Sequence, residues 1–236
     1  MPLADLARSL LDTPRWIETR FMLLRGEAEV TGLSADRRRF VAVSTRWPLA
    51  SVVGRPDPAF IAGAGLRSRP EVTLLCAEED GDHVAGALPG WKRVGAAIHS
   101  WPHARPLPGI PAADSARLLA PGEAGTLPHL PDVIRAEIAT AFDYSPVAAG
   151  LAGGLPVAFC YATGITESLW DVSIDTLEEH RRHGHAARAF ALMAATMARL
   201  GKSPVWGAAD DNMASRALAA WLGFVPAERL AMFERS

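Results

Sequence analysis

Between Asp171 and Phe190 the chain reads DVSIDTLEEHRRHGHAARAF, and no other stretch restricts the fold as much. Trp170, Val172 and Ile174 alternate with Asp171, Ser173 and Asp175, the two-residue period of a strand with one apolar and one polar face. The run Arg181-Arg182-His183-Gly184-His185-Ala186 breaks that period. From His185 the spacing turns helical, which predicts Phe190, Met193, Met197 and Leu200 on one stripe and Gly201 at the stop. The first-turn N–H groups of such a helix have no intrahelical acceptor, and the helix dipole adds partial positive charge there. Both favour an anion, a phosphate in particular. Gly184 lets the main chain approach a ligand, Ala186 keeps the first turn free of bulk, and Arg181 and Arg182 add charge at the mouth. The residues alone read as a pyrophosphate cradle.

Arg181-x-x-Gly184-x-Ala186 after a strand resembles the Arg/Gln-x-x-Gly-x-Gly/Ala signature of the GNAT superfamily of N-acetyltransferases. Pro204 to Ala208 reads as the next strand. Asn212-x-x-Ser215-x-x-Leu218-Ala219-x-x-x-Gly223-Phe224 then resembles the Asn-x-x-Ala-x-x-Leu-Tyr-x-x-x-Gly-Phe segment that closes GNAT domains. The resemblance covers roughly the last 110 residues, the size of one small domain. It implies an α+β GNAT fold, a mixed central sheet flanked by helices, with acetyl-CoA as co-substrate. The amides from Arg181 through Arg182, His183, Gly184 and His185 to Ala186 would hold the pyrophosphate, Ile174 and Thr176 would align pantetheine, and Asn212 and Ser215 would border the thiol arm. The implied reaction moves an acetyl or short acyl group to an amine of a small molecule or peptide. The alternative is a non-catalytic CoA-binding sensor or interaction module. Ala219 sustains that alternative, because the family's usual proton donor to the thiolate is the tyrosine of Leu-Tyr.

Amine attack also calls for a proton acceptor. The family often carries a glutamate on the strand before the cradle, and counting back from Arg181 that place falls near Trp170, which cannot serve. The carboxylates left as candidates are Asp171 and Asp175 on the strand and Glu167 in the loop before it. Tyr144 and Tyr161, the two tyrosines of the chain, are the available substitutes for the missing acid. His180, His183 and His185 flank a turn without metal-ligand geometry and read as basic residues beside phosphate, with no metal expected. Asp210-Asp211-Asn212 reads as a cap for a helix beginning near Met213.

Upstream, helical spacing spans Leu3 to Leu11, Trp16 to Leu24 and Pro58 to Gly65, with strands at Phe40 to Ser44 and Val72 to Cys76. Pro102, Pro106, Pro108 and Pro111 mark 102–115 as a linker between a smaller N-terminal α/β lobe, 1–101, and the GNAT domain, 116–236. The order strand, short helix, Gly-aromatic corner and apolar strand over 72–98 echoes that over 205–233. The N-terminal lobe is therefore a candidate degenerate GNAT-like half, and without a cradle motif it is expected to hold no cofactor. Leu130 to Phe142 patterns as a helix. Ser145 to Thr166 carries no charge, but Gly153-Gly154 at its middle predicts a hairpin rather than a membrane span. A net charge of −2 gives no bulk attraction to nucleic acid or anionic membranes. Two cysteines form no disulfide framework, and the N-terminus lacks the basic and apolar regions of a signal peptide, so a reduced cytoplasmic setting is expected. The acceptor and the oligomeric state are left open.

Overall fold

The computed structural model describes residues 2–69, 71–102 and 115–235. The proline-rich linker expected over 102–115 thus lies, from 103 to 114, outside the described residues. Contacts divide the chain into two compact units. One comprises Met1–Ser100, Gly207–Leu218 and Pro226–Ser236, and the other Trp101–Trp206 and Ala219–Val225.

The first unit begins with α1 (Leu3–Ser9), α2 (Ile17–Leu24), β1 (Ala28–Thr31), β2 (Phe40–Ser44) and β3 (Leu49–Val53), followed by α3 (Pro58–Gly63), β4 (Thr73–Ala77), α4 (Gly81–Ala87) and β5 (Trp91–Ser100). β1–β2 and β2–β3 are antiparallel and β3–β4 is parallel. The central strands are apolar at almost every position because both sheet faces are covered. Val41, Val43, Ala50 and Val52 pack with Ile61 and Val84 from α3 and α4. Phe40, Ala42 and Val53, on the opposite face, pack with Leu6, Met22 and Leu23 from α1 and α2.

The second unit contains β6 (Ala116–Leu118), α5 (Asp132–Ala141), β7 (Ala148–Ala152), β8 (Leu155–Ile165), β9 (Leu169–Thr176) and α6 (His185–Arg199). β6, β7, β8 and β9 pair antiparallel in that order, with the expected hairpin turning at Gly153 and Gly154. The chain closes with β10 (Ser203–Ala209), α7 (Met213–Leu222) and β11 (Val225–Arg235), each contributing residues to both units. β10 pairs parallel to β9, and β11 pairs antiparallel to β4 in the first unit. The order β, β, β, α, β, α, β therefore occurs twice with the same pair directions, and the echoed segments fall on β4–α4–β5 and β10–α7–β11.

Each face of the second unit's sheet carries its own helix. α5 covers Phe159 and Tyr161 through Ile138 and Ala141. α6 covers the other face, where Phe190 stacks on Trp170 at 6.2 Å and meets the edge of Trp101 at 5.7 Å. Phe190, Met193 and Met197 form the buried stripe of α6, but Leu200 is 60% exposed and does not belong to it. The helix ends at Arg199, and Gly201 turns left-handed with φ 71°. That turn sends the Lys202 N–H back to the Met197 carbonyl at 3.0 Å and rotates Leu200 off the stripe. Among the described residues no helix is long and apolar enough to cross a membrane.

Candidate functional site

α6 starts where it does because of one glycine in β7. A Cβ on Gly150 would lie 2.2 Å from the His185 carbonyl oxygen, so the first residue of α6 rests directly on bare main chain. From the end of β9, a short 3₁₀ turn (Glu178–His180) leads into the loop. Arg182 (φ 63°) and Gly184 (φ 79°) are both left-handed and bracket His183. A left-handed Arg costs about 1–2 kcal/mol, strain that the surrounding loop must hold. Arg181 is extended, and its Nε donates to the Thr176 carbonyl at 3.4 Å.

Gly184 is the N-cap of α6 and has no side chain to cap with; the first intrahelical bond runs from Arg188 N to Gly184 O at 3.2 Å. The amides of His185, Ala186 and Ala187 thus lack intrahelical acceptors. A Cβ on Gly184 would meet no heavy atom within 4 Å, so the space over this turn is open. The start of α3 in the first unit differs, since there the Asp57 carboxylate already accepts from Ala59 N at 2.8 Å. The residues at α6 fit an anionic diphosphate, whereas at α3 a carboxylate takes that place.

The rings of His180 and His183 stand 6.0 and 6.2 Å from that of His185. His185 is 9% exposed, and its Nδ1 lies 3.2 Å from Arg188 Nη1, so Nδ1 is the acceptor. Burial pushes the His185 pKa down, and Arg188, His180 and His183 push it further the same way, against a hydrogen bond with the Leu151 main chain. Among the described residues there is no metal-holding group of His, Cys, Asp or Glu.

β9 pairs with β8 along most of its length, from Ile165–Trp170 to Ala158–Thr176. Its register with β10 covers Leu169–Asp171 opposite Ser203–Val205, and β9 then runs on to Thr176. Pro204 brings no N–H to that ladder. Ile174 and Thr176 fall in this continuing part of β9, which leads to the cradle.

The three candidate carboxylates have different surroundings. Asp171 is 9% exposed and shares the α5 face with Ser173 and Asp175. β8 carries an extra residue between Ala162 and Gly164, and this bulge brings Thr163 Oγ1 to donate to Asp171 Oδ2 at 2.7 Å. Burial pushes the Asp171 pKa up to about 6, opposed by the Thr163 hydroxyl and the Val172 N–H. Asp175 Oδ2 lies 2.7 Å from Tyr161 Oη, which is also 3.0 Å from Glu137 Oε2 on α5. Burial and the Asp175 charge hold the phenol above its ordinary pKa, so it stays protonated. Partial burial and the neighbouring Asp175 charge push the Glu137 pKa up, opposed by the hydrogen bond from the Tyr161 hydroxyl. Asp171 and Asp175 are four residues apart, about 13 Å along a strand, and the structure does not bring them together. Glu167 is exposed in the turn before β9, where its main-chain carbonyl accepts from Lys202 Nζ at 3.3 Å.

Trp170, the position counted back to for the family's glutamate, is fully buried under Phe190, and among the described residues its Nε1 has no hydrogen-bond partner. Ala219 is likewise fully buried. Asn212 and Ser215 belong to the first unit, where Asn212 Oδ1 accepts from Ser215 N at 3.0 Å and caps α7. Asp210 instead engages Arg229, at 2.6 Å between Oδ2 and Nη2. Sequence reasoning missed Thr163 and Glu137. An isolated glycine in a strand, Gly164, was the available signal for the bulge, whereas Glu137 beside the buried Ile138 gave none.

Residues 148–233 match the family model described as GNAT acetyltransferase. No curated protein matches the chain. Among solved structures, a GCN5-related N-acetyltransferase-like protein from Streptococcus suis is 15% identical, with a TM-score of 0.69 over 99% of this chain and 98% of that one. A putative GNAT-family acetyltransferase from Novosphingobium aromaticivorans is 17% identical, with a TM-score of 0.64 over 95% and 98%. A tandem GNAT protein from the clavulanic acid biosynthesis pathway is 18% identical, with a TM-score of 0.51 over 83% and 77%. At such identities the neighbours establish the fold, which extends over nearly the whole chain. The segment that matches the GNAT acetyltransferase family model, 148–233, holds β7 to β11 and the loop before α6.

Proposed function

We propose that the chain is an N-acyltransferase that moves an acetyl or short acyl group from acetyl-CoA to an amine. The observation that carries this reading is the uncapped first turn of α6 at Gly184, open to solvent and fed by β9. The amides from Arg181 to Ala186, with the Arg181 and Arg182 side chains, take the diphosphate, and the end of β9 at Ile174 and Thr176 lies along the pantetheine. Acetyl-CoA, when bound, supplies the acyl group as a thioester. Asp171 accepts the proton that the attacking nitrogen loses as its bond to the acyl carbon forms and the sulfur leaves as thiolate. A buried carboxylate with its pKa raised to about 6 is ionised at neutral pH yet more basic than an ordinary aspartate, which suits that role. Asp175, on the same face, makes the approach acidic and suits an acceptor that arrives as an ammonium ion.

The test is calorimetric titration of CoA into the wild type and Gly184→Asp. At φ 79° an aspartate is tolerated for about 1 kcal/mol, and its carboxylate would cap α6 and repel the diphosphate. The variant should fold and lose CoA binding; equal affinity in both proteins would overturn the assignment. The buried Ala219 favours a second reading, a sensor that binds CoA without turnover. Consumption of the thioester with any member of an amine panel would exclude it.

A further inference from the structure

We infer that His180, His183 and His185 bind the cofactor's diphosphate in their protonated forms, so that CoA capture takes up protons and tightens as pH falls. This rests on the cofactor reading above. The rings of His180 and His183 lie 6.0 and 6.2 Å from that of His185, at the turn that would receive the diphosphate. Their charged surroundings are mainly cationic. Arg181 and Arg182 are in the loop, Arg188 is one turn into α6, and the first-turn amides add the positive end of the helix. Glu178 and Glu179, in the turn with His180, are both exposed. Arg117 on β6 is already paired with Glu123. On β7 the neighbour is the Leu151 main chain, and on β9 the Thr176 carbonyl is taken by Arg181, with Asp175 on the opposite face bonded to Tyr161. Cys160 on β8 is a fully buried thiol that stays protonated.

Without a ligand, Arg188 and the positive end of the helix disfavour a positive charge on His185. The lowered His185 pKa agrees with this, since Arg188, His180 and His183 add to burial in lowering it, against the hydrogen bond with the Leu151 main chain. A diphosphate reverses the balance by putting anionic oxygens against the same rings. For His185 the exchange is structural as well. Neutral Nδ1 accepts from Arg188 Nη1 at 3.2 Å, whereas protonated Nδ1 becomes a donor and releases the guanidinium. Ring and guanidinium can then both donate to phosphate. By linkage, an uptake of about 0.5 to 1 proton raises the affinity about 3- to 10-fold per pH unit of acidification in the range where the rings titrate.

The probe is dephospho-CoA, because the 3′-phosphate monoester of CoA itself titrates near pH 6. Titrations at pH 7 in buffers of different ionisation enthalpy read the protons taken up, and repeats from pH 6 to 8 read the affinity slope. The wild type should take up at least about half a proton. His180→Gln/His183→Gln, confined to the loop's less buried histidines, should lose most of that uptake while keeping its melting temperature. Tight binding with no proton uptake and a flat affinity from pH 6 to 8 would overturn this inference and leave the cofactor reading standing. Absence of binding throughout that range would overturn both.

Discussion

Replacing Thr163 by valine removes the hydroxyl that donates to Asp171 Oδ2 at 2.7 Å and keeps the β-branched shape that the bulge accommodates. A hydrogen bond to an ionised group contributes about 1.5–3 kcal/mol, and one pKa unit corresponds to about 1.4 kcal/mol. The Asp171 pKa should therefore climb by about one to two units above its value of about 6. Because the folded pKa lies above that of the unfolded chain, Asp171 favours the fold while protonated, and that contribution is lost as pH rises through the folded value. The variant should thus be less stable than the wild type by about 1.5–3 kcal/mol at pH 8 and by less at pH 5. Carbon-13 NMR titration of the Asp171 carboxyl reads the shift without knowledge of the acceptor. Once an acceptor is found, the acid limb of the pH–rate profile should move up by the same amount, and Thr163→Ser should restore both. An unmoved carboxyl titration, or a destabilisation equal at pH 5 and pH 8, would refute the account of this pair.

The same geometry fixes several other outcomes. Gly150→Ala places a methyl group 2.2 Å from the His185 carbonyl oxygen, so it should cost about 1–3 kcal/mol in denaturant unfolding and weaken CoA binding by shifting the cradle. Gly184→Ala meets no atom within 4 Å and should cost only the strain of a left-handed alanine, about 1 kcal/mol, with a smaller loss of affinity. Glu137→Gln keeps an acceptor oxygen for the Tyr161 hydroxyl and should change stability at pH 7 by less than about 0.5 kcal/mol, whereas Tyr161→Phe leaves the carboxylates unbridged and should cost about 1–3 kcal/mol. Asn212→Ala removes the cap of α7 and should lower stability by about 1 kcal/mol in thermal unfolding.

The strand, loop and helix around Gly184 were legible in the sequence because their determinants are local. A two-residue period, a glycine and a helical stripe occupy one continuous run, and β9, the loop and α6 appear within a residue or two of where that run places them. The hairpin of β7 and β8 was legible for the same reason, through Gly153-Gly154. The surroundings of the carboxylates depend instead on partners distant in the chain. Asp171 is set by a bulge on the neighbouring strand, and Asp175 by a tyrosine on β8 and a glutamate on α5. Which side chains meet across a sheet depends on register, and one-strand periodicity carries no information about register. Leu200 failed for a smaller reason, since periodicity extends a stripe past the point where Gly201 unwinds the helix.

The displaced carboxylate follows from the packing. Trp170 points to the α6 face, where Phe190 stacks on it. A glutamate in that place would put a charge into an aromatic core in which the described residues offer the buried Trp170 Nε1 no hydrogen-bond partner. The polar face of β9 begins one residue later, and there the bulge at Thr163 provides a hydroxyl that a regular strand would have carried past. Trp170, Asp171 and the extra residue in β8 therefore fit together, the core holding a large ring and the carboxylate a buried partner. Restoring glutamate at position 170 alone should destabilise the fold rather than rebuild a base, and the acid limb of turnover should still follow Asp171.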